Sequence, residues 1–339
     1  MKNYLVLGAG AWGTTMAQVL LDANNQVTIW SHRQSAVDEI NLQHTNSKYL
    51  PGLSLSENLR ATADIEILNK EKFDRILLAI PAQSLRENLS AWKSFFPTNI
   101  PIISTVKGIE ADTCLRMTQV VQEIISIPEN KLALITGPNL AGELSLRQPA
   151  GAVAAGSDQN LIAELVSEFT TNYFLVYPSD DLVGCELAGA TKSVIALAVG
   201  MAVGLGYQAN TTSMIITRGL NEVARFGESY GSKHITFLGL AGVGDLVVSC
   251  GSGLSRNRTF GEVLGKTGSM KTAIAEVQKT VEAVASAHAI QELAHRVGVE
   301  VPIIEAVSEV IAEKISPADG MARIMSSELD FENMGKHTH

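Results

Sequence analysis

Residues 239–261 combine one acid with a group of side chains that bind anions. Asp245 lies in the glycine-rich first part of this segment, and the run Ser-Arg-Asn-Arg follows at 255–258. A guanidinium group beside hydroxyl and amide donors suits a phosphate dianion, and glycine lets the backbone approach such a ligand closely. The pattern therefore predicts a phosphate-binding segment with loosened backbone. A flexible loop with a solvated tip is the alternative.

Two lysines stand where a catalytic ammonium could act. Lys107 follows the predicted strand at residues 100–105, and open α/β sheets bind ligands just past the carboxyl ends of their strands. Lys192 lies in an otherwise apolar helical stretch, where an unpaired ammonium would be costly. Lys192 could extend to solvent or pair with Glu186 or Asp245, or it could serve as acid and base for a carbonyl and alcohol pair.

A glycine motif near the start of the chain predicts a dinucleotide site. Gly8, Gly10 and Gly13 form G-x-G-x-x-G between an apolar run and a helical pattern at residues 14–21. In this setting the first glycine permits a tight turn, the second lets a pyrophosphate approach, and the third lets helix and strand pack. The helix N-terminus offers its free N–H groups to the phosphates.

The end of the second predicted strand indicates which dinucleotide binds. Trp30 is followed by Ser31, His32 and Arg33, without the acid that binds the ribose hydroxyls in NAD-specific proteins. A basic side chain in this place can neutralise a 2′-phosphate, so we expect NADP(H), with NAD(H) possible and with His32 and Arg33 as contacts. A solvent-facing turn that is indifferent to the cofactor is the alternative.

The elements that must position these residues follow from the hydrophobic pattern. In the first half, short apolar runs alternate with helical patterns, which is typical of a parallel sheet with crossover helices. From about residue 182 onward, apolar residues recur at helical spacing. This predicts an α/β protein with an N-terminal Rossmann-type, doubly wound, mostly parallel sheet at 1–183, an all-helical C-terminal domain at 184–330, and a polar, disordered tail at 331–339. The predicted strands are residues 4–7, 27–30, 75–80, 100–105, 132–136, 152–155 and 173–176.

Size and composition exclude several classes of protein. The 339 residues, 46% of them hydrophobic, can form two domains with large cores, and the net charge of -9 argues against a nucleic-acid surface. Cys114, Cys185 and Cys250 are too few and too scattered for a disulfide framework or a zinc site, so we expect a reducing, cytoplasmic compartment and no metal. The first residues leave no room for a cleavable signal. The longest uncharged run, 193–217, is polar in its second half, so no membrane span is expected.

Taken in order, these motifs resemble the NAD(P)-dependent glycerol-3-phosphate dehydrogenases of the bacterial type. The resemblance covers nearly the whole chain. Its matching segments are GAGAWG at 8–13, Trp30, Asn46 with YLPG at 49–52, KGIE at 107–110, TGPN at 136–139 with Ala141 and Glu143, Gly184 with ELAGATK at 186–192, TRGL at 217–220, Gly242 with GDL at 244–246, and SRNR at 255–258.

The resemblance implies an activity and a set of site residues. The activity is the reversible reduction of dihydroxyacetone phosphate to sn-glycerol 3-phosphate with NADH or NADPH, which supplies the backbone of phospholipids. The family also implies a Rossmann domain and a helical domain with the site in the cleft between them, and a homodimer. Lys192 looks like the catalytic acid and base. The matching substrate contacts are Lys107, Gly137, Asn139, Lys192, Asp245, Ser255, Arg256 and Asn257. The matching cofactor contacts are Ala11, Trp12, His32, Lys107, Ala141, Arg256, Thr280 and Glu282, and Gly8, Gly10, Gly13 and Arg33 complete the predicted set.

Four positions depart from the family pattern. Ser193 stands where the family usually has asparagine, and this shorter donor could shift the hydrogen bonding of the neighbouring lysine. Thr280 is often valine and Ala283 is commonly glycine, which makes the cofactor contacts there less secure. Ala11 is frequently serine; the alanine loses a hydroxyl near the pyrophosphate but keeps its backbone N–H.

Two other functions stay open at this point. A related β-hydroxyacid or ketopantoate-type reductase would also use a lysine, but it would bind a carboxylate and would not need the Ser-Arg-Asn cluster. A non-catalytic dinucleotide sensor would keep the Rossmann fold and would not need Lys192, Asp245 and Arg256 together.

Overall fold

The computed structural model describes residues 1–277 and 281–326, so Thr280 and the predicted tail at 331–339 lie outside the described residues. The chain forms two compact units. Unit 1 consists of Met1–Lys107 and Leu115–Glu186, and unit 2 consists of Gly108–Cys114 and the chain from Leu187 onward.

Unit 1 is built on one eight-stranded sheet. Its strands are β1 (Asn3–Leu7), β2 (Gln26–Trp30), β3 (Arg60–Thr62), β4 (Arg75–Leu78), β5 (Ile102–Ser104), β6 (Leu132–Thr136), β7 (Ala150–Gly156) and β8 (Phe174–Ser179). They lie in the order β3-β2-β1-β4-β5-β6-β7-β8, and the neighbouring strands are parallel except for β6 and β7. The winding direction reverses beside β1, between β2 and β4. This doubly wound arrangement confirms the predicted fold class.

Both faces of the sheet are buried, which explains why its strands read as continuous apolar runs. Successive side chains of β1 alternate between the faces. Tyr4 and Val6 belong to one buried cluster, and Leu5 and Leu7 belong to the other. Helices cover both faces. The helices of unit 1 are α1 (Ala11–Asp22), α2 (Gln34–Gln43), α3 (Ile67–Lys70), α4 (Leu85–Trp92), α5 (Met117–Ile125), α6 (Ala141–Ser145) and α7 (Gln159–Phe169).

The prediction of the strands was incomplete. The short β3 was not predicted, because three residues of which only Ala61 is buried show no periodicity. β7 extends beyond the predicted 152–155 at both ends, and it runs antiparallel to β6.

Within the described residues of unit 2, every regular element is helical, as predicted. The long helix α8 (Leu182–Gly204) begins in unit 1, where Asp181 accepts a hydrogen bond from the backbone N–H of Gly184 in its first turn, and it continues as a buried helix of unit 2. The others are α9 (Ala209–Ser229), α10 (His234–Phe237), α11 (Asp245–Gly251), α12 (Arg256–Thr267), α13 (Met270–Val277), α14 (Glu282–Arg296), α15 (Pro302–Ile311) and α16 (Pro317–Ser326).

α8 and α12 pack at backbone distance. A Cβ on Gly200 or Gly204 of α8 would lie 2.1 Å from the carbonyl oxygen of Arg258 or Glu262 of α12. A Cβ on Gly261 of α12 would lie 2.2 Å from the backbone of α8. Only glycine permits this approach, and it fixes α12 against the helix that carries Lys192.

By length and composition alone, two helical stretches could cross a membrane, Leu182–Gly204 and His234–Gly251. In the first, 83% of the apolar window is buried inside the protein, and in the second 39% is. The central helix of a soluble protein has the same apolar composition as the first stretch, because it is packed on all sides.

Candidate active site

Of the three glycines in the turn after β1, the middle one has free space for a side chain and the outer two do not. Gly8 has φ +120°, and a Cβ there would lie 2.5 Å from the carbonyl oxygen of Ala79. A Cβ on Gly13 would lie 1.8 Å from the carbonyl oxygen of Gly8. At Gly10, the N-cap of α1, a Cβ would meet nothing among the described residues within 4 Å. The turn therefore leaves space at the N-terminus of α1, which fits a dinucleotide pyrophosphate.

Neighbouring polar contacts hold this turn in place. Asn46 is 1% exposed, and its side-chain amide donates to the carbonyl oxygen of Ala9 (3.0 Å) and to the hydroxyl of Thr14 (2.8 Å). The hydroxyl of Thr15 donates to the carbonyl oxygen of Ala11 (2.9 Å) and lies 3.2 Å from that of Ala141. Ala141 therefore lies beside α1. The partly buried Trp12 packs against the core of unit 1.

At the end of β2, the two predicted cofactor contacts differ in exposure. His32 is exposed, with its ring 6.5 Å from that of Trp30. Arg33 is the half-buried N-cap residue of α2, and its guanidinium carbon lies 5.2 Å from the ring centre of Tyr49.

Lys107, Gly137 and Asn139 come together in unit 1. The ammonium of Lys107 donates to the carbonyl oxygen of Gly137 (3.1 Å), and the backbone N–H of Asn139 donates to the same oxygen (2.9 Å). Gly137 has φ +149°, a backbone conformation that favours glycine. Both polar atoms of the Asn139 side chain are buried and have no hydrogen-bond partner within the described ranges. An unpartnered buried amide costs about 1–3 kcal/mol, so a polar ligand that paired with this one would recover that cost.

In unit 2, Lys192 forms an ion pair with Asp245. The ammonium of Lys192 in α8 donates to the carboxylate of Asp245, the first residue of α11. The two side chains are 16% and 2% exposed. Glu186, the other partner considered for Lys192, accepts instead from Arg116 and from the backbone and hydroxyl of Thr118. The pair provides a partly accessible proton donor with its charge compensated.

A π-helical turn delivers Asp245 to this position. It spans Leu240–Gly244, and π turns occur frequently at functional sites. Phe237 is fully buried beneath it. A Cβ on Gly227 of α9 would lie 2.1 Å from the Phe237 ring, and a Cβ on Gly242 would lie 2.1 Å from the Phe237 carbonyl oxygen. The two glycines thus allow Phe237 and the turn to pack tightly together.

The prediction of loosened backbone over residues 239–261 was wrong, and so was the alternative of a flexible loop. Most of the segment is helical, and two of its glycines, Gly242 and Gly261, serve close packing. Ser255 is the N-cap of α12, and its hydroxyl oxygen accepts from the backbone N–H of Arg258 (3.4 Å). Arg256 and Asn257 are the first two residues of this helix. Their side chains therefore lie at a helix N-terminus, which favours a phosphate.

The N-termini of α12 and α14 are joined by a hydrogen bond. The side-chain oxygen of Asn257 accepts from the backbone N–H of Ala283 (3.1 Å), so alanine in place of the usual glycine keeps this donor. One carboxylate oxygen of Glu282 is buried without a hydrogen-bond partner in the part of the chain described here. Burial raises the pKa of Glu282, and the Arg256 guanidinium opposes the rise.

Two further expectations concern Ser193 and metal binding. The hydroxyl of Ser193 donates to the carbonyl oxygen of Ala190 (2.8 Å) in its own helix.

The three cysteines are free and buried. Among residues 1–277 and 281–326, no group of three or more His, Cys, Asp or Glu residues is placed to hold a metal ion.

The doubly wound sheet with a glycine turn after its first strand, and a lysine–aspartate pair in the helical unit, define a nicotinamide-dinucleotide-dependent oxidoreductase. Family models refine this class. The model of the NAD-dependent glycerol-3-phosphate dehydrogenase N-terminus matches residues 4–162, and that of the C-terminus matches residues 181–322. The chain belongs to the NAD-dependent glycerol-3-phosphate dehydrogenase family.

Individual relatives agree with this assignment over almost their whole length. The chain is 44% identical to a glycerol-3-phosphate dehydrogenase [NAD(P)+] of Thermobifida fusca, over 99% of this chain and all of that protein. It is 42% identical to the enzyme of the same name from Streptomyces griseus, with 95% of each chain covered. The crystal structure of glycerol-3-phosphate dehydrogenase from Coxiella burnetii matches with a TM-score of 0.89 and 30% identity, over 96% of this chain and 99% of that one.

Proposed function

We propose that this protein catalyses the reversible reduction of dihydroxyacetone phosphate to sn-glycerol 3-phosphate with NADPH or NADH. The observation that carries this proposal is the ion pair of Lys192 and Asp245, because it places a proton donor of compensated charge on a buried helix. The product would supply glycerophospholipid synthesis in the cytoplasm.

Lys192 moves the proton of this reaction. When bound, the reduced nicotinamide supplies the hydride for the ketone carbon. The Lys192 ammonium donates a proton to the oxygen on which negative charge develops, and solvent then restores that proton. In the reverse direction the neutral amine accepts the hydroxyl proton of glycerol 3-phosphate. Asp245 orients the ammonium and compensates its charge.

Ser255, Arg256 and Asn257 bind the substrate phosphate. They start α12, where the N-terminal N–H groups favour a dianion, and Arg256 adds a full positive charge with a planar donor fork. The carboxylate of a ketopantoate-type substrate would make fewer contacts with these three residues than a phosphate does, because a carboxylate carries less charge and fewer acceptor oxygens.

In unit 1 we assign Lys107, Gly137 and Asn139 to the substrate, and Lys107 also to the cofactor. The buried amide of Asn139 offers one acceptor and two donors that have no partner within the described residues. The cofactor pyrophosphate binds at Gly8, Gly10, Ala11, Trp12 and Gly13, with Ala141 beside it. His32 and Arg33 favour NADP(H) over NAD(H). In unit 2, Arg256 and Glu282 are the proposed cofactor contacts.

We further propose that the enzyme is a homodimer. Exposed apolar side chains of unit 2 support this assembly, since association would remove them from water. They include Ile235, Leu238 and Val247. Sedimentation at micromolar concentration should give twice the mass of one chain, whereas a monomeric mass contradicts the proposal.

The test of the activity compares substrates. Purified protein is incubated with NADPH or NADH and with dihydroxyacetone phosphate, ketopantoate, or no substrate, and the oxidation of the nucleotide is followed by absorbance. We expect oxidation with dihydroxyacetone phosphate at a kcat/KM at least about 100-fold above that with ketopantoate, since an unused phosphate site costs several kcal/mol. Faster oxidation with ketopantoate would support the reductase alternative, and no oxidation with either would support the sensor.

A further inference from the structure

Tyr49 carries two cations over its ring. The guanidinium carbon of Arg33 lies 5.2 Å from the ring centre, and the ammonium of Lys48 lies 5.5 Å from it. Both distances are within the range of a cation–π interaction. Tyr49 is 37% exposed and Lys48 is exposed, so this group, which we call the Tyr49 cluster (Arg33, Lys48 and Tyr49), is open to a ligand.

Glu39 and Asn46 fix the loop that carries Tyr49. The carboxylate of Glu39 in α2 accepts from the backbone N–H of Ser47 (2.6 Å) and from the hydroxyl of Thr45 (3.0 Å). Asn46 ties the same loop to the carbonyl oxygen of Ala9 in the glycine turn, and its own carbonyl oxygen accepts from the backbone N–H of Tyr49 (3.0 Å). The loop is therefore anchored both to α2 and to the dinucleotide turn.

The Tyr49 cluster carries excess positive charge. Within the described residues, neither Arg33 nor Lys48 forms an ion pair, and the Nε of Arg33 is buried without a hydrogen-bond partner. The nearby carboxylate of Glu39 offsets part of this charge, since its hydrogen bonds with Ser47, and to a smaller degree the charge of Arg33, lower its pKa and keep it ionised. Two cations against one carboxylate leave the group with one positive charge in excess. An anion that contacts both cations is attracted by both charges.

The position of the cluster indicates which anion it binds. Arg33 follows β2, the strand whose end meets the adenosine ribose in dinucleotide-binding folds. NADP(H) carries a phosphate monoester on that ribose, and NAD(H) carries a hydroxyl. A doubly charged phosphate gains far more from two cations than a neutral hydroxyl does.

We propose that Lys48 is a second binding group for the 2′-phosphate of NADP(H) and that Tyr49 is a positioning residue, whose ring holds Arg33 and Lys48 ready for it. This inference rests on the proposed use of a nicotinamide dinucleotide. It makes the choice between NADPH and NADH a property of the whole Tyr49 cluster, and it adds two residues to His32 and Arg33.

Direct binding separates the two cofactors without relying on turnover. The dissociation constants of NADPH and NADH are measured from the fluorescence of the reduced nucleotides for the wild type, Lys48→Gln, Tyr49→Leu and Tyr49→Phe. Lys93→Gln, another exposed lysine of unit 1, is the matched control for lost charge. We expect Lys48→Gln and Tyr49→Leu to weaken NADPH by about tenfold, as for loss of one charge-assisted contact, and NADH by less than about twofold. Tyr49→Phe and Lys93→Gln should match the wild type.

A double variant tests whether Tyr49 acts through Arg33. If it does, Arg33→Ala with Tyr49→Leu weakens NADPH by less than the product of the two single effects. The inference is overturned if NADPH and NADH weaken equally, if Tyr49→Phe loses as much as Tyr49→Leu, or if Lys48→Gln behaves like Lys93→Gln. Failure of the proposed function would show differently, as wild-type protein that oxidises neither nucleotide with dihydroxyacetone phosphate.

Discussion

Lys192 and Asp245 depend on each other in the folded protein. Asp245 is almost completely buried, and its carboxylate forms an ion pair with the ammonium of Lys192. Removing one partner of such a pair leaves the other charge uncompensated, which costs more than the interaction itself is worth. A variant of either residue therefore needs a second readout, such as binding of the cofactor, that separates lost chemistry from lost folding.

Arg256 provides the test of the phosphate site. If Arg256 binds the substrate phosphate, Arg256→Ala should raise the KM for dihydroxyacetone phosphate by about 100-fold, since a charge-assisted bidentate contact contributes about 2–3 kcal/mol. Steady-state kinetics at saturating NADPH measure this.

Lys266→Ala is the matched control for Arg256→Ala, because it removes a charge from the exposed far end of the same helix. It should leave the KM within about twofold, as a distant exposed charge is largely screened. An unchanged KM in Arg256→Ala would mean that the phosphate binds elsewhere.

At the scale of residues, the sequence identified candidate site residues better than it identified their hydrogen-bond and ion-pair partners. Residue type and spacing were enough to single out Lys192, Asp245 and Arg256, whose assigned roles stay predictions. The sequence left Glu186 and Asp245 as equal partners for Lys192, because both are acids at reachable positions, and only the tertiary structure shows that Glu186 binds Arg116. The unpartnered amide of Asn139 likewise depends on packing, which no local pattern reveals.

At the scale of elements, the crossing of α8 and α12 connects Lys192 to the helix N-terminus proposed to bind the substrate phosphate. Gly261→Ala would put a Cβ 2.2 Å from the carbonyl oxygen of Leu197 and 2.9 Å from the backbone nitrogen of Met201. The helices would have to separate, so we expect a loss of stability of about 1–3 kcal/mol and a reduced kcat/KM for dihydroxyacetone phosphate. Thermal unfolding and steady-state kinetics measure the two effects.

Gly251→Ala controls for the loss of a helical glycine. A Cβ there meets no described atom within 4 Å, so this variant should be as stable as the wild type or slightly more stable. Equal stability of the Gly261→Ala and Gly251→Ala proteins would contradict the close packing of α8 and α12.

The sequence predicted helices and strands most reliably where they are long and periodic. The spacing of Ala287, Ile290, Leu293, Ala294 and Val297 predicted a helix. The first four side chains are buried in α14, whereas Val297 is its C-cap residue and is exposed. Glycine was ambiguous, because flexibility and close packing require the same residue. The segment at 239–261 was therefore misread as loosened backbone, and the π turn at Leu240–Gly244 has no local signal that would have revealed it.

At the scale of the whole molecule, Glu222 couples folding to pH. It is 2% exposed, and its carboxylate accepts backbone N–H groups of Ile303 and Ile304, each at 2.9 Å, so that it joins α9 to the start of α15. Burial raises the pKa of Glu222 from 4.5 to about 7, although those two hydrogen bonds oppose the rise. Between these two pH values the folded protein holds a proton that the unfolded chain has released.

The contribution of Glu222 to stability is therefore complete below pH 4.5 and is lost as the pH rises through about 7. Glu222→Gln cannot titrate. The stability of the wild type relative to this variant should fall by about 3 kcal/mol between pH 4.5 and pH 7.5. Thermal unfolding of both proteins at the two pH values measures this, and a constant difference in unfolding midpoint would contradict the account.

The fold class was predictable because its signals extend over many residues. Alternating strand and helix patterns predicted the doubly wound sheet, and the change to helical spacing near residue 182 predicted the helical region. Two global features have no such signal. The antiparallel pairing of β6 and β7 depends on where the chain returns to the sheet, and Gly108–Cys114 belongs to unit 2 although the sequence on both sides of it belongs to unit 1.

The proton-donating role of Lys192 is tested most directly by Lys192→Met, which keeps most of the length of the side chain and removes its charge. Both kcat with dihydroxyacetone phosphate and the dissociation constant of NADPH are measured. We predict that kcat falls by at least about 1000-fold, the contribution expected of a positioned acid that also stabilises the developing charge, while NADPH binds within about threefold of the wild type. A kcat within tenfold of the wild type would contradict the mechanism.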